Sequence, residues 1–355
     1  MTDLERIYAK VESLRVPLNI LIELTNRCNE DCIHCFIKEA RDKFSLSQDD
    51  RELDFNQISA LFGELAREGT LNLIFTGGEA MLRGDFFQIA RLAKDKNFAV
   101  TLFSNGQLID EDNADRLAGI MPVCVYFSLY GADAFTHDKI TGINGSFENL
   151  MRAVSLLRER RINVGFKTVV MRENLDQLRE IFDLGKKMRI EKHDFGEEIT
   201  GKIDGSCGPK RYQIDEGSLF DYYKGDIPQP NDRIEELPQA ESLQKPLCGA
   251  GVFGACVSCY GDVYPCAEWR APLGNIKYTP FKEIWHRNAG LLGELRSVKE
   301  YKDLADCRRC SLVNFCRRCP GRAFFEEKDW HSCYQGAYKR AAIKQRINAV
   351  LAEGR

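Results

Sequence analysis

From residue 17 the chain alternates short apolar, β-branched runs with longer segments whose apolar residues recur at helical spacing. The strand candidates are PLNILIEL (17–24), LNLIFTGG (71–78), FAVTLFS (98–104), VCVYFSL (123–129), INVGFKTVV (162–170) and IEKHDF (190–195). Between them FNQISALFGELAREG, DFFQIARLAKDKN, SFENLMRAVSLLRERR and NLDQLREIFDLGKKM have the helical period. Strands that alternate with helices specify a parallel sheet with right-handed crossovers, so the pattern predicts six βα units in a doubly wound sheet or an open barrel.

After about residue 200 the texture changes. Segments rich in Gly, Pro and charge, such as GDIPQPNDRIEELPQAESLQKP, read as a linker. Cysteines then concentrate: residues 248–333 hold nine of the fourteen, which suits a small domain organised by metal rather than hydrocarbon. The tail GAYKRAAIKQRINAVLAEG has a basic amphipathic pattern and reads as a helix packed on the barrel. The expected units are an N-terminal helical segment (1–16), a barrel (17–200), a linker (201–245), a cysteine-rich domain (246–340) and a C-terminal helix (341–355).

Charge adds little, because 50 Lys and Arg against 53 Asp and Glu leave a formal net charge of -3. No electrostatic footprint for nucleic acid or an anionic membrane results. The N-terminus lacks the flanks of a signal peptide and no apolar run is long enough to span a bilayer, so the expected compartment is the cytoplasm. A reducing compartment keeps thiols free, and fourteen cysteines there point to metal or cluster ligation rather than disulfides.

The first group, Cys28, Cys32 and Cys35 in TNRCNEDCIHCF, follows the first strand and has no fourth cysteine nearby. Barrels of this kind carry their chemistry on such loops. Three thiolates hold three irons of a [4Fe–4S] cube and leave the fourth iron open, whereas a closed zinc site completed by His34 would place two ligands in awkwardly tight spacing.

This CxxxCxxC loop resembles that of radical S-adenosylmethionine (radical SAM) enzymes, and later strand ends match in order. FTGGEAML (75–82) resembles the second-strand GGE motif, so that Gly77, Gly78 and Glu79 are the positions expected to receive the methionine amino group; the family's usual proline is here Ala80. LFSNG and YFSLYGADAFTHDKITGINGSF supply Ser104, Asn105 and Ser128 as expected ribose and carboxylate contacts. Phe36, Lys167 and Val169 are expected around the bound cofactor, and a packing role explains the Val169–Val170 pair equally well. The resemblance implies a partial (β/α)6 TIM-like barrel that reductively cleaves S-adenosylmethionine to a 5′-deoxyadenosyl radical, with an electron donor such as flavodoxin or ferredoxin.

The second cysteine field resembles the SPASM extension of the same enzymes, which binds two auxiliary [4Fe–4S] clusters. By position, Cys248, Cys266 and Cys319 would hold the nearer cluster, and Cys307, Cys310, Cys316 and Cys333 the farther one. Here Cys316 and Cys319 are separated by two residues rather than three, and Cys256 and Cys259 are additional. A local scheme pairs Cys248, Cys256, Cys259 and Cys266 at one site, with Cys307, Cys310, Cys316 and Cys319 at another. Two zinc ribbons are the structural alternative. Cys124 reads as a buried small hydrophobe, and Cys207 has no evident partner.

Auxiliary clusters recur in enzymes that modify peptides and proteins. The expectation is therefore oxidative modification of a peptide or protein side chain, by cross-linking or dehydrogenation, possible only with a separate leader-binding protein because the segment before the first strand is short. The alternative is a tetrapyrrole of the haem-precursor type or a small molecule, since members acting on haem precursors show text close to SLYGADAFTHDKITG. A non-catalytic iron–sulfur electron carrier is a further alternative, which would need no GGE segment. His193, Asp194, Glu197 and Glu268 are the candidates for substrate-side acid–base chemistry, with His193 and Glu268 foremost; Tyr130 and His137 lie on the fourth-strand loop.

Overall fold

The structure, a computed structural model, describes residues 3–37, 45–48, 51–225 and 238–353. Six strands follow the predicted order: β1 (Asn19–Thr25), β2 (Asn72–Gly77), β3 (Ala99–Ser104), β4 (Cys124–Ser128), β5 (Val164–Val169) and β6 (Lys192–Gly196). Each pairs in parallel with the next, from β1 to β6. The helices between them cover the outer face. In helix Phe55–Arg67, for example, Ile58, Leu61, Phe62 and Leu65 form the buried stripe, and Asp54 closes its N-terminus in a reciprocal capping box with Gln57.

Alternation along the strands sorts two faces. On β5, Phe166 and Thr168 are buried beneath the helices, while Lys167 and Val169 point into the half-barrel's interior. The helix-side layer is dominated by apolar and aromatic contacts, with Phe62 stacked on Phe75 and edge-on to Phe98. The interior face is more polar and lines the cavity described below.

The sheet does not stop at β1. Strand β7 (Gly254–Val257) pairs in parallel with β1, and β8 (Asp262–Tyr264) and β9 (Gly274–Asn275) add to it antiparallel, giving the order β6-β5-β4-β3-β2-β1-β7-β8-β9. Gly254 permits the junction, since a Cβ there would lie 2.6 Å from the Asn19 carbonyl oxygen. The cysteine-rich segment is therefore built onto the barrel's first strand.

A buried ion pair reinforces this seam. Arg270 donates to both carboxylate oxygens of Glu23 on β1, with Nη1–Oε2 at 3.0 Å, and both residues are buried. Within 201–245, read as a linker, helix Glu216–Lys224 buries Leu219, Tyr222 and Tyr223 in the main core. It packs against helix Gln335–Glu353, which begins before residue 341 and contributes Ile343 and Ile347. No described helix is long and apolar enough to cross a membrane.

Candidate active site

The cysteine loop leaves β1 at Thr25 and is clamped by the end of β2. Gly78 donates its N–H to the Thr25 carbonyl at 2.8 Å, and Glu79 donates to the Arg27 carbonyl at 2.9 Å. Both glycines are required by this approach. A Cβ on Gly77 would lie 2.2 Å from the Thr25 oxygen, in a residue with φ of +123°, and one on Gly78 would lie 2.1 Å from the Arg27 oxygen. The pair thus lets the two strand ends approach closely.

The fourth-strand loop braces the other side. At the end of helix Ala134–Thr141, the carbonyls of Thr141 and Ile140 accept from the N–H groups of Asp31 and Ile33 at 2.8 and 3.0 Å. His137 accepts the Tyr130 N–H at Nδ1 (3.1 Å) and is buried, with burial driving its pKa down to about 4. It is a packing residue, and the segment THDKITG is scaffolding for the cysteine loop. Tyr130 in turn meets His34 edge-on, with ring centroids 4.6 Å apart.

The three thiols share a cavity of about 240 Å³ with Phe36, Gly77, Gly78, Ser104, Asn105, Ser128, Lys167 and Val169. Eight of the nine expected cofactor contacts therefore line one space. Glu79 stands behind it, fully buried, and accepts from Ser104 Oγ (2.9 Å), the Asn105 N–H (2.8 Å) and the Met81 N–H (3.1 Å). Burial raises its pKa against those three donors. Asn105 turns its amide onto Asn29 Oδ1 at 2.8 Å and toward Cys28 Sγ at 3.8 Å. Glu79 and Asn105 thus tie the ends of β2 and β3 to the cysteine loop.

On the far wall Lys167 pairs with Asp194 at 2.9 Å, and its ammonium lies 4.9 Å from the ring centroids of both Phe103 and Tyr126. Burial pushes Cys28 up to about 11 despite the Glu30 N–H, and raises Cys32 well above the ordinary thiol value. Such thiols are neutral until a metal displaces the proton. Burial also lifts Glu30, beside Cys32, to about 7.

Of the two foremost acid–base candidates, one turns away from the interior and the other is held in an ion pair. His193 is on the helix side of β6: it stacks on Phe195 at 4.2 Å, meets Thr168 Oγ1 at 2.9 Å, and blocks any side chain at Gly185. Burial lowers its pKa to about 4. Strand alternation is the reason, since its neighbour Asp194 takes the interior face. Glu268 is held by Arg322 through two hydrogen bonds of 2.8 and 3.1 Å. Burial opposes its ionisation, yet the Arg322 charge outweighs it and keeps the carboxyl below its usual value, which makes it a poor proton acceptor. Glu197 accepts from the Tyr223 hydroxyl at 2.9 Å, away from the thiols.

The remaining cysteines fall into two neighbourhoods. Burial comes first in raising Cys248, Cys266, Cys307, Cys316, Cys319 and Cys333. Beyond burial, Cys266, pushed up to about 12, feels Cys319 and Cys248. Cys316, also about 12, feels Cys307, Cys333 and Cys310. Cys256 in turn feels Cys266 and Cys259, so these influences touch both the interleaved and the local sets. Cys256 and Cys259 are fully buried on the β7–β8 hairpin, and the charge nearest in effect on each is Glu23. Cys124 is buried in β4, and Cys207 is exposed.

Two further cavities run on from the first site. Phe36 is shared between the cysteine-loop cavity and a slot of about 20 Å³ that is also bordered by Ala267, Glu268 and Arg270. Thr200 and Phe325 are shared between that slot and a cavity of about 460 Å³. Among the described residues no three His, Cys, Asp or Glu side chains converge on the position of one ion. The donor set itself is soft thiolate throughout, which fits iron–sulfur clusters.

The sequence reasoning missed Glu23 and Arg270, although a lone glutamate inside the apolar strand NILIELT was a visible signal that a cation must meet it. It also missed Glu198, which is bound by Arg322 and Arg340 at the edge of the cavity of about 460 Å³.

Residues 22–185 match the family model of the radical SAM superfamily, and residues 248–320 match that of the SPASM iron–sulfur cluster-binding domain. An AdoMet-dependent heme synthase of Methanosarcina barkeri (strain Fusaro / DSM 804) is 29% identical over 338 residues, covering 88% of this chain and 94% of its own. The mycofactocin maturase MftC of Mycolicibacterium smegmatis is 29% identical over 355 residues, covering 92% and 84%. The crystal structure of Streptococcus suis SuiB bound to S-adenosylmethionine shares the fold with a TM-score of 0.69 at 17% identity, over 94% of this chain and 80% of that one. The chain belongs to the radical SAM superfamily as an enzyme with a SPASM domain, and its cofactors are S-adenosylmethionine and [4Fe–4S] clusters.

Proposed function

We propose that this enzyme oxidatively modifies a carboxylate-bearing side chain of a haem-type tetrapyrrole precursor. The observation that carries the reading is the slot between the cysteine loop and the auxiliary cysteines. Phe36, Phe324 and Phe325 line the slot, whose volume of about 20 Å³ admits an edge rather than a whole macrocycle, and Lys202 and Lys328 stand at its border for the carboxylates. The larger cavity beyond Phe325 offers room for the rest of such a ring. The heme synthase relative, which matches over 94% of its length, supports the same class.

Cys28, Cys32 and Cys35 would hold the first cluster and leave one iron open beside Gly77, Gly78 and Asn105. Cys248, Cys266 and Cys319 would hold a second cluster, and Cys307, Cys310, Cys316 and Cys333 a third. When bound, these groups supply reductive cleavage of S-adenosylmethionine to a 5′-deoxyadenosyl radical and a sink for the electron that an oxidation releases. The protein's own part is placement. Glu79 fixes the β2 and β3 ends, Ser128 and Val169 border the cavity, and Phe36 separates the first site from the slot. Lys167, neutralised by Asp194, offers a hydrogen-bond donor on the wall. A one-electron donor such as flavodoxin or ferredoxin is the implied partner.

The MftC match over 92% of this chain favours a second reading, oxidation of a peptide or protein side chain with a separate leader-binding protein. The test is to incubate the anaerobic, cluster-replete enzyme with S-adenosylmethionine, reductant and a propionate-bearing iron porphyrin. The expected result is substrate-stimulated 5′-deoxyadenosine and a change in porphyrin mass, with KM raised roughly tenfold in Lys202→Met/Lys328→Met. Deoxyadenosine without any change in porphyrin mass would remove the tetrapyrrole reading.

A further inference from the structure

Four arginines are fully buried among the described residues: Arg83, Arg270, Arg318 and Arg340. Three have carboxylate partners, Asp85, Glu23 and Glu198 respectively. Arg318 has none. It sits in the CRRC stretch two residues after Cys316 and directly before Cys319, and is 6% exposed. Its backbone N–H donates to the Tyr301 hydroxyl at 3.0 Å. Nη2 donates to the Ser332 carbonyl at 2.7 Å and to the Trp330 carbonyl, which ties it to the loop that presents Cys333. Nε and Nη1 are buried without a partner.

A buried cation with two unused N–H groups is costly unless a negative charge meets it. Cys316, two residues before Arg318, belongs to one auxiliary set and Cys319, directly after it, to the other, and Nη2 holds the Trp330–Ser332 stretch that leads into Cys333. Tyr301 shares this neighbourhood.

We propose that Arg318 is the shared counter-cation of the two auxiliary cluster sites, a positioning and tuning residue whose charge holds the reduction potentials of both sites up. The physical basis is general. Reduction adds negative charge to a cluster, and a fixed buried cation with free donors stabilises the more negative state through charge and hydrogen bonding to sulfur. The inference rests on the ligand sets proposed above, and the same experiment tests those separately by iron content.

The experiment uses the full chain carrying Cys28→Ala/Cys32→Ala/Cys35→Ala, so that only auxiliary signals remain, in anaerobic redox titrations followed by electron paramagnetic resonance. About eight irons per chain supports the ligand sets independently of Arg318, and about four removes them. Adding Arg318→Gln lowers both potentials, so that at fixed ambient potential the reduced-to-oxidised ratio falls roughly tenfold, about 59 mV for one electron. Arg318→Lys, which keeps the charge, restores most of the shift, and Arg317→Gln, at the exposed neighbour, leaves both unchanged. Unchanged potentials in a fully loaded Arg318→Gln protein, or a shift at one site only, would overturn the proposal. Should Arg318→Gln not load, Arg318→Lys decides: loading with near-normal potentials supports a charge role, and failure to load overturns it in favour of the carbonyl hydrogen bonds.

Discussion

Replacing Gly78 by alanine tests how the strand ends control the cysteine loop. The added Cβ would lie 2.1 Å from the Arg27 carbonyl oxygen, 2.6 Å from its carbon and 2.9 Å from the Asn26 oxygen. All three are backbone atoms, so no rotamer change relieves the contact, and either β2 or the start of the loop must retreat by about 1 Å to reach ordinary contact distance. The retreat also stretches the two hydrogen bonds from Gly78 and Glu79 to the loop. Overpacking of this kind costs about 1–3 kcal/mol of stability. A displacement of about 1 Å at a reacting centre costs on the order of 10²-fold in rate. The assay is uncoupled 5′-deoxyadenosine formation, with iron content and a thermal melt on the same sample. Gly84→Ala is the control, since a Cβ there meets nothing within 4 Å. The expected result is a loss of roughly two orders of magnitude for Gly78→Ala and little change for Gly84→Ala. A Gly78→Ala enzyme with normal iron content and normal deoxyadenosine formation would refute the reasoning.

Other consequences follow from the same geometry. Arg270→Met strands the Glu23 carboxylate at the seam of β1 and the cysteine-rich segment, and denaturant unfolding should show a loss of about 3–5 kcal/mol; the double variant Glu23→Met/Arg270→Met should recover most of it. His137 has its pKa lowered by burial to about 4, so its neutral form is favoured in the fold. Its contribution is full above the unfolded value near 6.5 and is lost as pH falls toward 4, by roughly 1.4 kcal/mol per pH unit. Comparing His137→Asn with wild type by denaturant titration from pH 7 to 4 should show the variant losing less, and parallel curves would contradict the assignment. Cys256→Ala/Cys259→Ala should retain the full iron content, whereas Cys266→Ala/Cys319→Ala should lose about four irons; a loss of about four irons in the first variant and about eight in the second would favour the local ligand scheme.

What could be read from the chain depended on how local the determinant was. Strands β1 to β6 are buried on the helix side and read as apolar runs, so their order and parallel pairing were legible. The nine-stranded sheet was not, because β7, β8 and β9 are short, β7 begins at a glycine, and its pairing with β1 spans more than 200 residues of chain. Contiguous motifs such as CxxxCxxC and GGE brought the right side chains to one cavity. Roles were harder. Gly77 and Gly78 also hold two strand ends in close approach, Glu79 ties the ends of β2 and β3 together, and His193 faces the helices because alternation on β6 assigns the interior to Asp194. Arg322 neutralises Glu268 from 54 residues away, a pairing no local pattern announces.

In the proposed arrangement three thiolates after β1 form an open catalytic site and two further cysteine sets serve as auxiliary ones. Its most direct measurement is iron and sulfide content of the anaerobically purified enzyme together with 5′-deoxyadenosine formation on adding dithionite and S-adenosylmethionine, in wild type and in Cys28→Ala/Cys32→Ala/Cys35→Ala. The account requires about twelve irons in wild type, about eight in the triple variant, and deoxyadenosine from wild type alone. A cluster-replete wild type that forms no deoxyadenosine, or a triple variant that still forms it, would contradict the account.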